Sequence, residues 1–258
     1  MPFTISHAAA VLPLRKLAGS RLPLAAMMIG SMSPDFAYFL PQDSGRASSH
    51  DFEGILLFCW PVSLALWLLF VHLLERPTIE LLPAAWRTRV PRSDPTLSAS
   101  ALAFASLAVI MGAMTHVAWD AFTHFGTPIT ERFPAFNVVL FTFHGHSMPV
   151  YLFLQYLCSV IGLLALARWA FNLRRLPPRA RHIETRSTLS DAMRIGAAAL
   201  VVIASGATAL LSYASNSGTR FEYRVFRLLI DGMLGWAVAW CVVALFVTWR
   251  VRAASVKA

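Results

Sequence analysis

Residues 52–74 read FEGILLFCWPVSLALWLLFVHLL. One carboxylate, Glu53, stands at the start and one imidazole, His72, near the end; the rest is uncharged and largely apolar. Crossing a hydrocarbon core about 30 Å thick takes roughly 20 helical residues. The run therefore predicts a membrane-spanning helix, with Pro61 as a kink and Ser48-x-x-Asp51 as a capping box ahead of it.

Four more runs of this kind follow. The second predicted span starts at Asp94-Pro95, an N-cap followed by a first-turn proline. It covers residues 95–120, with apolar character to Thr115 and a helical pattern to His124. The third begins at Ser147-Met148-Pro149 and covers residues 148–171. The fourth follows Thr188-x-x-Asp191 and runs to Tyr213. The fifth follows Thr219-x-x-Glu222 and ends near Arg250. Before residue 48 the sequence predicts short helices over residues 7–18 and 22–32, broken at Gly19 and placed on or partly in the membrane interface. A third short helix is expected at Ser33-Pro34-Asp35, with Ser33 as N-cap and Pro34 at N1. The fold class is thus an all-α, polytopic membrane bundle of about five spans plus short N-terminal interfacial helices. A basic linker over residues 172–189, containing Pro177-Pro178, would separate a site-bearing part (1–171) from a two-helix membrane segment (190–258).

Composition agrees with lipid as the solvent. Of 258 residues, 57% are hydrophobic and 14% charged, and mean hydropathy is +0.60. Soluble domains carry about 25% charged residues. The net charge of +9 does not imply nucleic acid, because the basic residues fall mainly in short segments between apolar runs. Arginines concentrate in residues 75–97, in residues 168–194 and in the tail. Five spans put all three on one side, which the positive-inside rule makes cytoplasmic. The N-terminus, the loop after the second span and the Asn216 loop would then face outward; Arg15, Lys16, Arg21 and Arg46 argue the other way. Cys59, Cys158 and Cys241 all lie in apolar runs, so no disulfide framework is expected. The start, Met-Pro-Phe-Thr-Ile-Ser-His, lacks the basic n-region of a signal peptide, and targeting falls to the first span.

The polar residues carry the chemistry. On a helix, His116 and Asp120 share a face, with His124 one turn further. An imidazole and a carboxylate at that spacing suit Zn or another first-row divalent ion. The plainer reading is a buried His–Asp pair that satisfies itself. Asp35 sits where a first-turn carboxylate would be favoured by the helix dipole, ligand or not. His50 stands in Ser48-Ser49-His50-Asp51 ahead of the first span, and His7 starts the first short helix; each reads equally as a wetted interfacial residue or a ligand. His144-Gly145-His146, ahead of the third span, could contact a metal or a substrate phosphate, or be a solvated loop. Ionisable groups at membrane depth are costly and tend to have a partner or a function. No H-E-x-x-H, G-x-S-x-G or Walker A sequence is present.

The ordered set of His7, Ser33-Pro34-Asp35, Ser49-His50 and His116-x-x-x-Asp120 resembles a family of bacterial membrane proteins of unknown function, DUF4184. The resemblance extends into Leu57-Phe58-Cys59-Trp60-Pro61 and Leu154-Gln155-Tyr156 and covers most of residues 1–171. That family is similar to predicted membrane-bound metal-dependent hydrolases, and distantly to zinc-dependent phospholipase C. The resemblance implies ligand roles for His7, Asp35, His50, His116 and Asp120. The sequence departs from the phospholipase pattern: residue 1 is Met where those enzymes have tryptophan, and no histidine of the set is followed at i+4 by Glu. One or two divalent ions, with Zn foremost, fit better than three.

The expected function is metal-dependent hydrolysis of a lipid-linked or amphipathic phosphate ester at the outer face of the bacterial cytoplasmic membrane. Asp35, Asp120 and His124 are the candidates for acid–base work, and His144 and His146 for substrate contact. Membrane lipids are the expected partners. The alternative is a non-enzymatic membrane protein whose metal or His/Asp cluster fixes the fold; a transporter would more often show related halves or paired broken helices.

Overall fold

The computed structural model describes residues 3–19, 21–40, 49–93, 98–143, 145–177 and 189–255. Among them are five helices long and apolar enough to cross a membrane: Phe52–Leu81, Ala99–Arg132, Val150–Leu173, Asp191–Ser215 and Tyr223–Arg250. The chain divides into two compact units, residues 1–68 with 96–172, and residues 69–95 with 173–258. The boundary runs through the first span, so residues 69–95 belong with the last two helices and not with the preceding residues. A division drawn only at the basic linker places that stretch otherwise.

The first unit begins with a 3-10 helix, Thr4–Ala9, then α-helices Val11–Ala18 and Leu24–Met32, then a 3-10 helix Ser33–Phe39. Leu24–Met32 buries Ala26, Met27, Gly30 and Ser31 and packs against the second span. Two glycines make this possible. A Cβ on Gly30 would collide with the Val109 backbone, and one on Gly112 with the Met27 carbonyl. This short helix, expected on or partly in the membrane interface, is packed closely against the second span. The reason is the Gly30–Gly112 crossing, which lets two backbones touch. Ser33 also differs from its expected role. It is the first helical residue, and its hydroxyl donates to the Gly30 carbonyl at 2.8 Å. Pro34 follows within the first turn, as expected.

The first span starts at Asp51, whose carboxylate accepts from the Gly54 N–H at 2.7 Å; Ser48, of the expected capping box, lies outside the described residues. The helix widens to π geometry at Ile55–Cys59, directly ahead of Pro61, and again at Phe70–Leu74. A proline ring obstructs the regular i to i−4 ladder, and a widened turn ahead of it makes room. The helix then continues to Leu81, past the expected end at Leu74. In the second span, helix Ala99–Thr123 is capped by Ser98, whose hydroxyl accepts from Ala101 N–H at 3.1 Å. Asp94 and Pro95, the expected start, lie outside the described residues. After His124, Thr127 and Thr130 form a capping box for a short helix, Pro128–Arg132.

Residues 147–149 do not begin the third span. Strand β1 (Val139–Phe143) pairs antiparallel with β2 (His146–Pro149), and the helix starts at Val150. The β-branched and aromatic run Val-Leu-Phe-Thr-Phe favours an extended chain, and Gly145 takes the positive φ of 79° that the turn between the strands requires. The third span in turn holds the N-terminal turn. Phe3 N–H donates to Ser159 Oγ at 3.1 Å, and Gly162 lets the Ser6 backbone approach closely.

In the second unit, helices Asp191–Ser215 and Phe221–Ser255 pack together. Ser190 caps the first of them through Met193 N–H at 3.3 Å; Thr188 and the Glu222 side chain lie outside the described residues. Val201, Ala239, Val243 and Val247 form the buried contact, with Leu81 against it. Gly235 faces Thr208 with no room for a Cβ. Asp231 is neutralised locally: Arg227 Nη2 lies 2.7 Å from its Oδ1, and the Ser212 hydroxyl donates to its Oδ2. That pairing removes much of the cost of a carboxylate at membrane depth. The three cysteines are free.

Candidate metal centre

Four separate segments of the first unit bring ionisable side chains to one point. The N-terminal 3-10 turn supplies His7, the turn after helix Leu24–Met32 supplies Asp35, the residue before the first-span cap supplies His50, and the last two turns of the second span supply His116 and Asp120. The fixing contacts are local. His116 Nδ1 lies 2.8 Å from the Ser31 carbonyl. A carbonyl can only accept, so Nδ1 carries the proton and Nε2 of a neutral ring presents its lone pair to the site. The Thr4 hydroxyl donates to Asp35 Oδ2 at 2.6 Å, which leaves Oδ1 for the site. Ser49 Oγ lies 2.9 Å from His50 Nδ1, so His50 also turns its Nε2 inward.

The inward atoms form a closed ring. His116 Nε2 is 3.3 Å from Asp120 Oδ2 and 3.7 Å from Asp35 Oδ1. His50 Nε2 is 3.7 Å from both of those oxygens. His7 Nε2 faces the other Asp120 oxygen, Oδ1, at 3.6 Å, and its ring stacks on His116 with centroids 3.8 Å apart. These separations are long for charge-assisted hydrogen bonds, which run at about 2.7–2.9 Å. They lie near the edges of a coordination tetrahedron, where two ligands at about 2.0–2.1 Å from one ion are about 3.3–3.4 Å apart: His116–Asp120 is at that length and the others are a few tenths of an ångström longer. Two groups, His7 with Asp35 and His116, and His50 with His116 and Asp120, each keep their ligand atoms within 4.8 Å of one another.

Hydrogen bonding inside the ring is incomplete. Among the described residues, His7 Nε2, His116 Nε2 and Asp120 Oδ1 are buried and find no hydrogen-bond partner. Buried polar atoms are rarely left so. The charged partners that the described residues give Asp35 and Asp120 are all histidines. Burial, reinforced by neighbouring His116, pushes the His7 imidazole down to about 4, so it is neutral at pH 7. Burial opposes ionisation of Asp35, but without a metal a hydrogen bond from His50, the positive charge of His116 when protonated and the Thr4 hydroxyl outweigh it and hold the carboxyl at about 2. Two buried carboxylates facing imidazole lone pairs form a donor set for a divalent cation, and the buried His/Asp groups are placed to hold one.

The ring has one accessible edge. The side chains of His7, Asp35 and His116 are 2%, 3% and 0% exposed, whereas His50 is 28% and His124 29% exposed. His124 Nδ1 lies 3.5 Å from Asp120 Oδ2, and its Nε2 is 3.3 Å from Gln155 Nε2. Gln155 comes from the third span and is itself buried. His146 is exposed on β2 opposite Phe143 and is not among the converging residues. His144 lies outside the described residues.

The family model for the domain of unknown function DUF4184 matches residues 1–248. The chain belongs to the DUF4184 family. No curated protein and no solved structure is significantly similar to it. For this DUF4184 chain, spacing pointed to His116 and Asp120, the resemblance of the ordered motif implied His7, Asp35, His50, His116 and Asp120 as a set, and the fold brings the five together. Missing from that reading were the residues that aim them: Thr4, the Ser31 carbonyl and Gln155. A backbone carbonyl leaves no mark in the sequence. Thr4 and Gln155 do: Thr4 is one of the polar residues of the first turn, with Ser6 and His7, and Gln155 is a polar residue in an otherwise apolar run.

Proposed function

We propose that this DUF4184 chain is a divalent-metal-dependent hydrolase of a lipid-linked or amphipathic phosphate ester, working where the membrane-crossing helices end. The observation that carries the reading is the ring of imidazole and carboxylate atoms 3.3–3.7 Å apart with three buried atoms lacking hydrogen bonds. His7, Asp35, His50, His116 and Asp120 would hold one or two ions, Zn foremost. When bound, such a cation polarises an ester oxygen and makes water more acidic at neutral pH.

The chain's own residues supply the rest. Asp120 meets His7 through one oxygen and His50, His116 and His124 through the other. A carboxylate shared in this way can take a proton from water and pass it to His124. His124 sits on the accessible edge, where a leaving group would need a proton. A closed set of ligands marks a structural site and an open edge a catalytic one; the exposure of His50 and His124 supports the catalytic version. The resemblance of the ordered motif to predicted membrane-bound metal-dependent hydrolases points the same way. A lipid-linked substrate fits a site built at span ends.

The test is turnover of a panel of phospholipids and chromogenic phosphodiesters by detergent-purified protein, beside His116→Ala and His124→Ala. Metal-dependent turnover lost in His116→Ala and reduced in His124→Ala supports the reading. Bound metal with no turnover of any substrate by the wild type favours the non-enzymatic alternative, a metal that fixes the fold.

A further inference from the structure

The β1–β2 hairpin has a surface unlike that of a soluble loop. All five residues of β1 are exposed, four of them apolar, with Phe141 50% and Phe143 69% exposed. Directly paired residues of antiparallel strands share a face. Phe141 pairs with Met148 and Phe143 with His146, while Thr142 pairs with Ser147. One face is therefore Phe141, Phe143 and Met148, with His146 toward the turn, and the other carries the hydroxyls of Thr142 and Ser147, with the Val139–Pro149 pair at the base. The ladder is irregular between Val139 and Phe141, where Leu140 is the extra residue.

The hairpin is fastened to a membrane-crossing helix without a linker. β2 ends at Pro149 and the third span begins at Val150, whose N–H donates to the Val138 carbonyl at 3.0 Å. Its base thus lies where that span leaves the bilayer, and the helix it leads into exposes Phe153, Leu157 and Leu164. Phe125 and Tyr151, with ring centroids 6.0 Å apart, lie at the same junction. An isolated two-stranded hairpin is marginal in water. Its unpaired edges exclude deep insertion, because hydrocarbon cannot satisfy them. The headgroup boundary satisfies both requirements: wet edges and a dry face.

We propose that the hairpin is an interfacial membrane anchor, with Phe141, Phe143 and Met148 among the upper acyl chains and Thr142 and Ser147 toward the headgroups. The inference does not depend on the metal reading. It places a lipid-contacting element within about two helical turns of Gln155, the residue that touches His124.

The experiment uses the full chain in vesicles of phosphatidylethanolamine and phosphatidylglycerol. Nitroxides are attached at Phe141→Cys, Thr142→Cys and Phe143→Cys in a background lacking Cys59, Cys158 and Cys241. Labels at 141 and 143 are expected to collide at least severalfold more with oxygen than with a water-soluble nickel chelate, and the label at 142 to show the opposite preference. Equal nickel access at all three positions would overturn the proposal, as would protection of 141 from both quenchers, which means that protein covers the face. Should the cysteine-free background fail to fold, wild-type protein is photolysed with a phospholipid carrying an acyl-chain diazirine. Adducts mapping to residues 139–143 support the anchor; adducts on the third span with none on the hairpin contradict it.

Discussion

His116 donates through Nδ1 to the Ser31 carbonyl across 2.8 Å, and this one bond ties the aim of the central imidazole to the packing of a neighbouring helix. Ser31 sits one residue after Gly30, at the crossing where Gly30 and Gly112 let the two backbones touch. Sequence, packing and site are joined there, because a side chain added at the crossing moves the carbonyl that sets the tautomer. Gly112→Ala is therefore expected to destabilise the protein by about 1–3 kcal/mol through overpacking and to weaken metal binding as well. Thermal melting in detergent together with metal content checks both; an unchanged melt and full metal would contradict the coupling.

Thr4 acts on the site through Asp35, donating to Oδ2 while Oδ1 faces the ring. Groups that orient a ligand typically change metal affinity by roughly 10–100-fold when removed. Thr4→Val keeps the shape and deletes the donor, so a loss in that range with the fold intact is expected from metal titration against a competing chelator. Affinity equal to the wild type would show that the hydroxyl does not orient Asp35.

Gln155 positions His124 without reaching the ring itself. Gln155→Leu is expected to keep metal content and to lower kcat by roughly 10–100-fold, the scale on which removal of an orienting partner acts. The pH profile of kcat should shift with it. Loss of metal in this variant would instead make Gln155 part of the metal-holding framework.

The metal-free protein should lose stability on acidification. The imidazole of His7 drops from 6.5 to about 4 on folding, so between those values the unfolded chain takes up a proton that the folded chain refuses. Stability is intact above pH 6.5 and falls as pH drops toward 4. Asp35 falls from 3.8 to about 2; its contribution is present above pH 3.8 and is lost toward pH 2. Both groups act in one direction. Melting of chelator-treated protein at pH 7.5, 5.5 and 4.5 checks it, with a midpoint that rises on acidification as the contrary result.

Much of this was legible in the sequence, for physical reasons. Long apolar runs signal spans because lipid demands them, and all five appear close to their expected positions. The i, i+4 spacing of His116 and Asp120 placed them together, because helical periodicity is local information. What escaped was non-local. Residues 147–149 looked like a helix start, but the match between Val139–Phe143 and His146–Pro149 makes them a strand. The close packing of the stretch 22–32 on the second span also escaped, because it depends on Gly30 and Gly112 meeting across two helices. Asp231 pairs with Arg227 at i,i+4 on its own helix, which spacing alone could have shown, whereas its second partner, Ser212, meets it only once two helices pack.

The central claim is that five side chains embrace a cation, and elemental analysis tests it most directly. Protein purified in detergent under metal-replete, chelator-free conditions is expected to carry one or two equivalents of Zn, Mn or Fe. X-ray absorption at that metal's edge should show only nitrogen and oxygen neighbours, at about 2.0–2.2 Å. His116→Ala should lose the metal. Wild-type protein without stoichiometric metal, or with metal retained at full occupancy in His116→Ala, would contradict the account.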